Sequence, residues 1–289
     1  MRTLRITGVP EHFNLPWKKV VALQPFLAKG IQLDWTDESR GSGQMNKALR
    51  DDETDLAIVL TESFLKDFEE GNPSRIIGFH VKSPLIWGIQ ISGLSPVNNL
   101  NQIEIPQFLI SRMGSGSHLM AFVLAQREGW KPANLEFKIV GNLDGALEAM
   151  NPATPEMFLW EKYTTMPWVD SGEFKRIGEV PSPWPCFVIV AAEKAISEFG
   201  ELIFELRNFV YRASAEIQSN PQTPTEIQKG YGLELEDSKA WLSQTIWETE
   251  AIISKTEMDK AMEKMIELGI IKAKSGLEQI LSLDHLQII

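Results

Sequence analysis

Two rhythms alternate along the chain: short apolar runs, and stretches in which apolar residues recur every three or four positions. The first predicts strands and the second predicts amphipathic helices. Residues 4–9 read as an opening strand, followed by the loop Pro10-Glu11-His12-Phe13-Asn14-Leu15. Pro16 suits a helix start, Val20, Val21, Leu23 and Leu27 follow at helical spacing, and Gly30 is placed to close that helix. Residues 31–35 alternate as a second strand. The polar loop Ser39-Arg40-Gly41-Ser42-Gly43 then leads into a short helix ending near Arg50. Residues 55–60 are apolar at nearly every position, as a strand buried on both faces requires, and Thr61 is placed to cap the helix after them.

Residues 76–81 and 85–91 read as two further strands, after which the pattern restarts. A strand at 107–110, the loop Gly114-Ser115-Gly116-Ser117, a helix through Glu128 stopped by Gly129, a strand at 137–140, a helix at 143–150 and a strand at 156–160 form a second series. Residues 164–185 carry four prolines and read as irregular. Residues 187–191 are again a strand, and helices dominate afterwards, among them 237–247 and 257–268. Alternation of this kind predicts an α/β fold with mainly parallel sheets flanked by helices. The restart suggests two lobes, the second inserted in the first: lobe 1 as residues 1–90 plus 186–289, lobe 2 as residues 91–185, with hinge segments near 88–92 and 183–189 and a cleft between the lobes. A length of 289 residues agrees with two domains at about 150 residues each.

Composition removes several classes of function. There are 28 basic and 39 acidic residues, a net charge of -11, so the chain lacks the basic surface that binding a phosphate backbone needs, and no nucleic-acid partner is expected. A single cysteine, Cys186, excludes an internal disulfide and multi-cysteine metal centres, and the four histidines show no metal-ligand spacing. No metal and no cofactor are therefore expected. The longest apolar stretch, 186–192, is far short of the roughly 20 residues that cross a bilayer, so no direct membrane insertion is expected. The first residues alternate rather than forming a secretory apolar run. As written the chain is expected to be cytoplasmic, and periplasmic only if a leader has been removed.

The loops after the strands carry the candidate chemistry, because ligands in open α/β sheets bind outside the carboxyl ends of strands. Gly41-Ser42-Gly43 and Gly114-Ser115-Gly116-Ser117 each follow a strand and open a helix. Unpaired amides and the helix dipole there favour an anion, glycine lets a ligand approach the backbone, and serine adds adjustable donors. Neither loop has the third glycine of a dinucleotide fingerprint or the Gly-Lys step of a P-loop. His12 lies in the loop after the first strand. Glu62 and Glu161 each follow a strand, where a carboxylate can accept from a cationic or amide-bearing ligand. Trp17, Trp160, Trp168 and Trp184 lie outside the periodic segments and are candidates for stacking on a planar ligand, whereas Trp35, Trp87, Trp130, Trp241 and Trp247 are assigned to packing. No Gly-x-Ser-x-Gly elbow is present, so a hydrolase has little support.

Several of these segments taken together resemble a known family. Arg40-Gly41-Ser42-Gly43, residues 54–62, Ser83-Pro84-Leu85-Ile86-Trp87-Gly88-Ile89, residues 111–117, residues 158–165 and Pro183-Trp184-Pro185 resemble the class II periplasmic-binding-protein-like fold. Within it they resemble a subgroup related to the nitrate/sulfonate/taurine and thiamine-pyrimidine-precursor substrate-binding proteins. The resemblance covers roughly residues 1–215. It implies ligand-binding positions at His12, Asn14, Gly41, Ser42, Gly43, Thr61, Glu62 and Ser83 in the first lobe. In the second lobe it implies Gly114, Ser115, Gly116, Ser117, Trp160 and Glu161. The related pyrimidine synthases have a cysteine-rich, histidine-supported iron site that a chain with one cysteine does not match, so that activity is not carried over.

The expectation is a solute-binding-protein-like chain whose partner is a small polar metabolite, anionic or heteroaromatic, held in the cleft between lobes. No catalytic residue is assigned, and the lack of a signal sequence in the chain as written counts against a transporter partner, which the resemblance would otherwise imply. The alternative is an enzyme on the same fold acting on a vitamin or quinone precursor, with His12 or Glu62 as general base. A third class, a partner-binding domain using helices 237–247 and 257–268, is opposed by apolar positions that suit burial against the first lobe.

Overall fold

The computed structural model describes residues 1–283 and 285–289. Along the chain, β1 (Arg2–Gly8) leads through a tight turn to α1 (Leu15–Leu23). β2 (Ile31–Asp37), α2 (Ser42–Arg50), β3 (Leu56–Leu60), α3 (Thr61–Glu69) and β4 (Ser74–Val81) follow. Next come β5 (Ile86–Ser92), β6 (Gln107–Ile110), α4 (Gly116–Glu128), β7 (Glu136–Ile139), α5 (Leu143–Ala149), β8 (Met157–Glu161), α6 (Met166–Asp170) and β9 (Phe174–Pro181). The chain then returns as β10 (Phe187–Ala192), α7 (Glu193–Phe199), α8 (Glu201–Ser219), α9 (Thr223–Tyr231), α10 (Leu235–Gln244), β11 (Ile252–Ile253), α11 (Lys255–Glu267), α12 (Leu277–Ile280) and β12 (Gln287–Ile288).

Two compact units result, residues 1–84 with 183–289, and residues 85–182. The sequence-based boundary at residue 90 falls inside β5, and the proposed hinge at 88–92 lies wholly within that strand. β5 pairs with β8 and β9 over its length, so it cannot be divided between units and the break falls before it. The second break likewise falls at 182/183, before Trp184.

Unit 1 has a five-stranded sheet in the order β2-β1-β3-β10-β4. β1 runs parallel to β2 and β3, whereas β10 is antiparallel to both β3 and β4. The second unit repeats the arrangement as β7-β6-β8-β5-β9, with β5 as the antiparallel strand. Both sheets are therefore mixed but mainly parallel, as the alternation of strands and helices suggested: four strands of each run one way and a single strand runs against them. A strand inserted by a return of the chain from a distant segment carries no local signature of its direction. β3 and β10 are buried at every residue, which explains their unbroken apolar sequence.

Helices cover the first sheet. On α8, Arg207 is buried: its Nη1 donates to the Ile77 carbonyl at 2.8 Å and its Nη2 to the His285 carbonyl at 3.0 Å. Tyr211 donates its hydroxyl to the Phe79 carbonyl at 2.8 Å. A Cβ on Gly78 would lie 2.1 Å from that hydroxyl oxygen, so only glycine lets α8 approach β4 so closely. In the second unit Leu109, Ala146, Phe158 and Phe174 form the centre, with Trp160 and Trp168 packed against it.

Three local expectations are corrected. The helix begun at Leu15 ends at Leu23, because Gln24 takes a left-handed conformation (φ 47°), and only a single further turn precedes Gly30. The stretch 164–185 contains α6 and the eight-residue edge strand β9. Helix α10 stops at Gln244, leaving Trp247 beyond it. Among the described residues no helix is long and apolar enough to cross a membrane.

Candidate functional site

The register of each sheet fixes which loops share an end. In unit 1, Phe187 at the start of β10 faces both Leu60 at the end of β3 and Val81 at the end of β4, while Gly8 and Asp37 finish β1 and β2 together. The loops after β1, β2, β3 and β4 and the segment entering β10 therefore gather at the carboxyl end of this sheet. All eight first-lobe candidates and Trp184 are placed there.

His12, in the turn after β1, is buried edge-on to Trp241 (ring centroids 4.2 Å) and near Phe13 and Tyr231. Burial lowers its pKa to about 3, so it is neutral, and its Nε2 has no hydrogen-bond partner among the described residues. Asn14 donates Nδ2 to the Val9 carbonyl at 2.8 Å and leaves Oδ1 unpartnered. The Phe13 carbonyl between them accepts from Trp247 Nε1 and from His80 Nε2, both at 2.8 Å, which fixes the His80 proton on Nε2.

Gly41 has φ 79°, a conformation glycine adopts without strain, and it starts α2 with no side-chain cap. The buried Ser42 turns inward, its Oγ accepting from the Leu60 amide at 2.9 Å, while Gly43 is half-buried. Thr61 is not a cap: it is the first residue of α3, and its hydroxyl donates to the Pro185 carbonyl at 2.6 Å. Ser83 Oγ accepts from the Ile246 amide at 3.0 Å. Three hydroxyls read from sequence as ligand donors thus hold loops together.

Glu62 is different. It is 1% exposed; its Oε2 accepts from the buried Trp184 Nε1 at 2.7 Å, and its Oε1 has no partner among the described residues. Burial pushes its pKa up to about 7 against the opposing pull of backbone and Trp184 hydrogen bonds. Trp184 and Trp17 are buried, so neither offers a face for stacking in this structure.

The second unit gathers its loops in the same way: Ile110 pairs with Ile139, Trp87 with Glu161, and Ile86 with Pro181. Ser115 caps α4 by accepting from the His118 amide at 3.3 Å, and its Oγ lies 3.0 Å from Ser117 Oγ. Ser117 Oγ also accepts from the Ser111 amide, and the Gly114 amide (φ 78°) donates to His118 Nδ1 at 3.0 Å. Gly116 begins the helix, whose first-turn amides have no intrahelical acceptor. Glu161 is buried, its Oε2 accepting from the Thr164 amide (2.6 Å) and hydroxyl (2.8 Å), and burial raises its pKa to about 7. Trp160 is half-buried and stacks on Phe158 at 5.1 Å.

Three residues at these loops escaped sequence reasoning. Tyr231 and Trp241 wall His12 from α9 and α10, and Asn142 caps α5 in the loop after β7, accepting from the Gly145 amide at 3.0 Å. Asn142 had a legible signal, an Asn after Gly141 before a helix; the other two had none beyond their aromaticity. Among the described residues no cluster of three or more His, Cys, Asp or Glu could hold a metal ion.

Residues 87–180, about a third of the chain, match the family described as Ca3427-like PBP. The chain is similar in structure to the Candida albicans CA3427 gene product, described as defining a new family with the generic periplasmic binding protein fold. The TM-score is 0.87 at 23% identity, over 99% of this chain and 98% of that one. It is similar to the alkanesulfonate-binding protein SsuA of Xanthomonas axonopodis pv. citri bound to MOPS, with TM-score 0.78 and 11% identity over 100% and 99% of the two chains. It is also similar to PhnD1 of Prochlorococcus marinus in complex with methylphosphonate, with TM-score 0.61 and 11% identity over 93% and 99%. No curated protein matches the sequence. The chain has the class II periplasmic-binding-protein-like fold.

Proposed function

We propose that this chain binds a small polar metabolite, anionic or heteroaromatic, through the loops at the carboxyl ends of its strands. The observation carrying this reading is that the candidate positions of each unit gather at one end of its sheet, on a fold shared with an alkanesulfonate-binding protein and with a protein in complex with methylphosphonate. His12, Asn14, Gly41, Gly43 and Glu62 supply unit 1, with Ser42, Thr61 and Ser83 holding the loops that present them. Gly114, Ser115, Gly116, Ser117, Trp160 and Glu161 supply the second unit. Its helix start favours an oxygen-rich group, and the half-buried Trp160 offers an aromatic face.

Native mass spectrometry of the purified chain should reveal a retained small molecule at one per chain. Ser115→Ala, which removes the hydroxyl at the α4 start, should weaken its retention while circular dichroism stays unchanged. Undiminished retention would remove the second unit from the proposal.

A second reading has one observation in its favour: a buried carboxyl with a pKa of about 7, Glu62, is suited to act as a general base at neutral pH. Incubation with a cell metabolite extract separates the two readings. Turnover of a component indicates an enzyme, and stoichiometric retention indicates a binder.

A further inference from the structure

Building on the proposed binding role, we infer that the ligand presents an N–H donor to Glu62 Oε1, as an amidinium or amino-heteroaromatic group does, and that Trp184 is the positioning residue that holds this carboxyl ready.

The geometry of one carboxyl group carries the argument. Glu62 is the second residue of α3, which directly follows the central strand β3, at the sheet end where the other unit 1 candidates gather. Its two oxygens are treated differently. Oε2 is fixed by the Trp184 indole at 2.7 Å, whereas Oε1 is buried and has no donor among the described residues. Buried carboxyl oxygens are ordinarily satisfied, and one left open beside a fixed partner is a ready acceptor with a defined direction.

The neighbours narrow the chemistry. The Thr61 hydroxyl proton is donated to Pro185, and Ser42, whose Oγ accepts from Leu60, makes no hydrogen bond to Glu62 Oε1. His12 is neutral and packed among rings. Arg40, which precedes the Gly41 loop, is engaged in a two-point pair with Glu38. At Glu62, unit 1 thus presents an open carboxyl oxygen rather than a ready donor. With its pKa pushed up to about 7, the Glu62 carboxyl is able to ionise; a planar N–H group favours the ionised form and completes its hydrogen bonding, whereas a sulfonate or nitrate oxygen set against it requires the protonated form. Trp184 reaches Glu62 across 122 residues of sequence, in the segment entering β10. Its indole leaves the carboxyl one orientation rather than several, which favours a rigid donor over a flexible one.

The test uses the full chain in calorimetric titrations with two probe classes of similar size. Benzamidine, 2-aminopyridine and cytosine represent N–H donors; methanesulfonate, methylphosphonate and nitrate represent oxyanions. The donor class should bind at least tenfold more tightly, and Glu62→Gln should weaken donor binding by tenfold or more while leaving any oxyanion affinity unchanged or improved. Trp184→Phe keeps the ring and removes the N–H; it should weaken donor binding several-fold, and it keeps the test open should Glu62→Gln fold poorly. Binding of the oxyanion class alone, or donor affinities unchanged in both variants, overturns this inference and leaves the binding role intact. Absence of binding by both classes, in a chain that also retains no molecule in native mass spectrometry, overturns the two together.

Discussion

The two units are variations on one plan, finished differently. Leaving out the inserted antiparallel strand (β10 in one sheet, β5 in the other), each sheet places its first strand (β1, β6) between the second (β2, β7) and the third (β3, β8), and in each a buried glutamate sits at the carboxyl end of the third, Glu62 just after β3 and Glu161 as the last residue of β8. The loop after the first strand is where they part. In unit 1 that loop is His12-Phe13-Asn14, packed into rings from α10 and the segment after it. In the second it is a hydroxyl-lined helix start at residues 114–117. The two glycine–serine loops that look alike in sequence are therefore not counterparts: Gly41-Ser42-Gly43 follows the second strand of its sheet, and residues 114–117 follow the first of theirs. The true counterpart of the Gly41 loop is the turn at Gly141-Asn142. Short motifs can match while the places they occupy differ.

The largest test of this contrast concerns the aromatic packing of unit 1. Trp241→Ala should lower the unfolding free energy by about 3–5 kcal/mol through the cavity left beside His12 and Phe13, measured by urea denaturation. A loss below about 1 kcal/mol would mean that the His12 loop does not depend on α10.

pH dependence tests the equivalence of the two glutamates. Burial raises the Glu62 and Glu161 carboxyls to about 7 from 4.5, and lowers the His12 and His80 imidazoles to about 3 and about 4 from 6.5. Between pH 4.5 and 6.5 the unfolded chain carries protons on both histidines and on neither glutamate, and the folded chain does the reverse. The glutamate contributions are present below 4.5 and are lost as pH rises towards 7; the histidine contributions are present above 6.5 and are lost as pH falls. Two bound protons balance two, so these four groups should leave stability nearly flat across that window. Glu62→Gln should break the balance, giving stability that falls by about 1.4 kcal/mol per unit as the solution is acidified. Glu161→Gln should do the same, and a slope in only one variant would show that the two carboxyls are not alike.

The smallest effects separate the two serines. Ser42→Ala leaves the buried Leu60 amide without its acceptor and should cost about 2 kcal/mol. Ser115→Ala removes a helix cap and should cost about 1 kcal/mol. Equal costs in chemical denaturation would argue against the inward and capping roles assigned here.

Nine of the ten main strands were legible because apolar runs bounded by turn residues are a local signal. β9 was not, since only Phe174 and Val180 of this edge strand are buried and its middle, Lys175 to Glu179, is largely polar. The direction of β5 and β10 was hidden for a different reason: it depends on where the chain returns. At the candidate site, Glu62 and Glu161 stood out because carboxyls directly after strands are conspicuous. The Trp184 contact could not be seen, because it joins residues 122 positions apart. Nor could the inward turn of Ser42 and Thr61, since whether a hydroxyl serves the backbone or a guest depends on packing that a loop sequence does not encode.

The interleaving of the two units has a consequence for biosynthesis. All five strands of the second unit are present once residue 181 has left the ribosome, whereas unit 1 still has a gap between β3 and β4 until residues 187–192 emerge. The inserted middle of the nascent polypeptide is thus able to complete its sheet before the unit that begins the chain, reversing the usual amino-to-carboxyl order of maturation. Until β10 arrives, the inner edges of β3 and β4 remain exposed to passing strands, so the vulnerable interval in making this protein is the translation of its inserted middle.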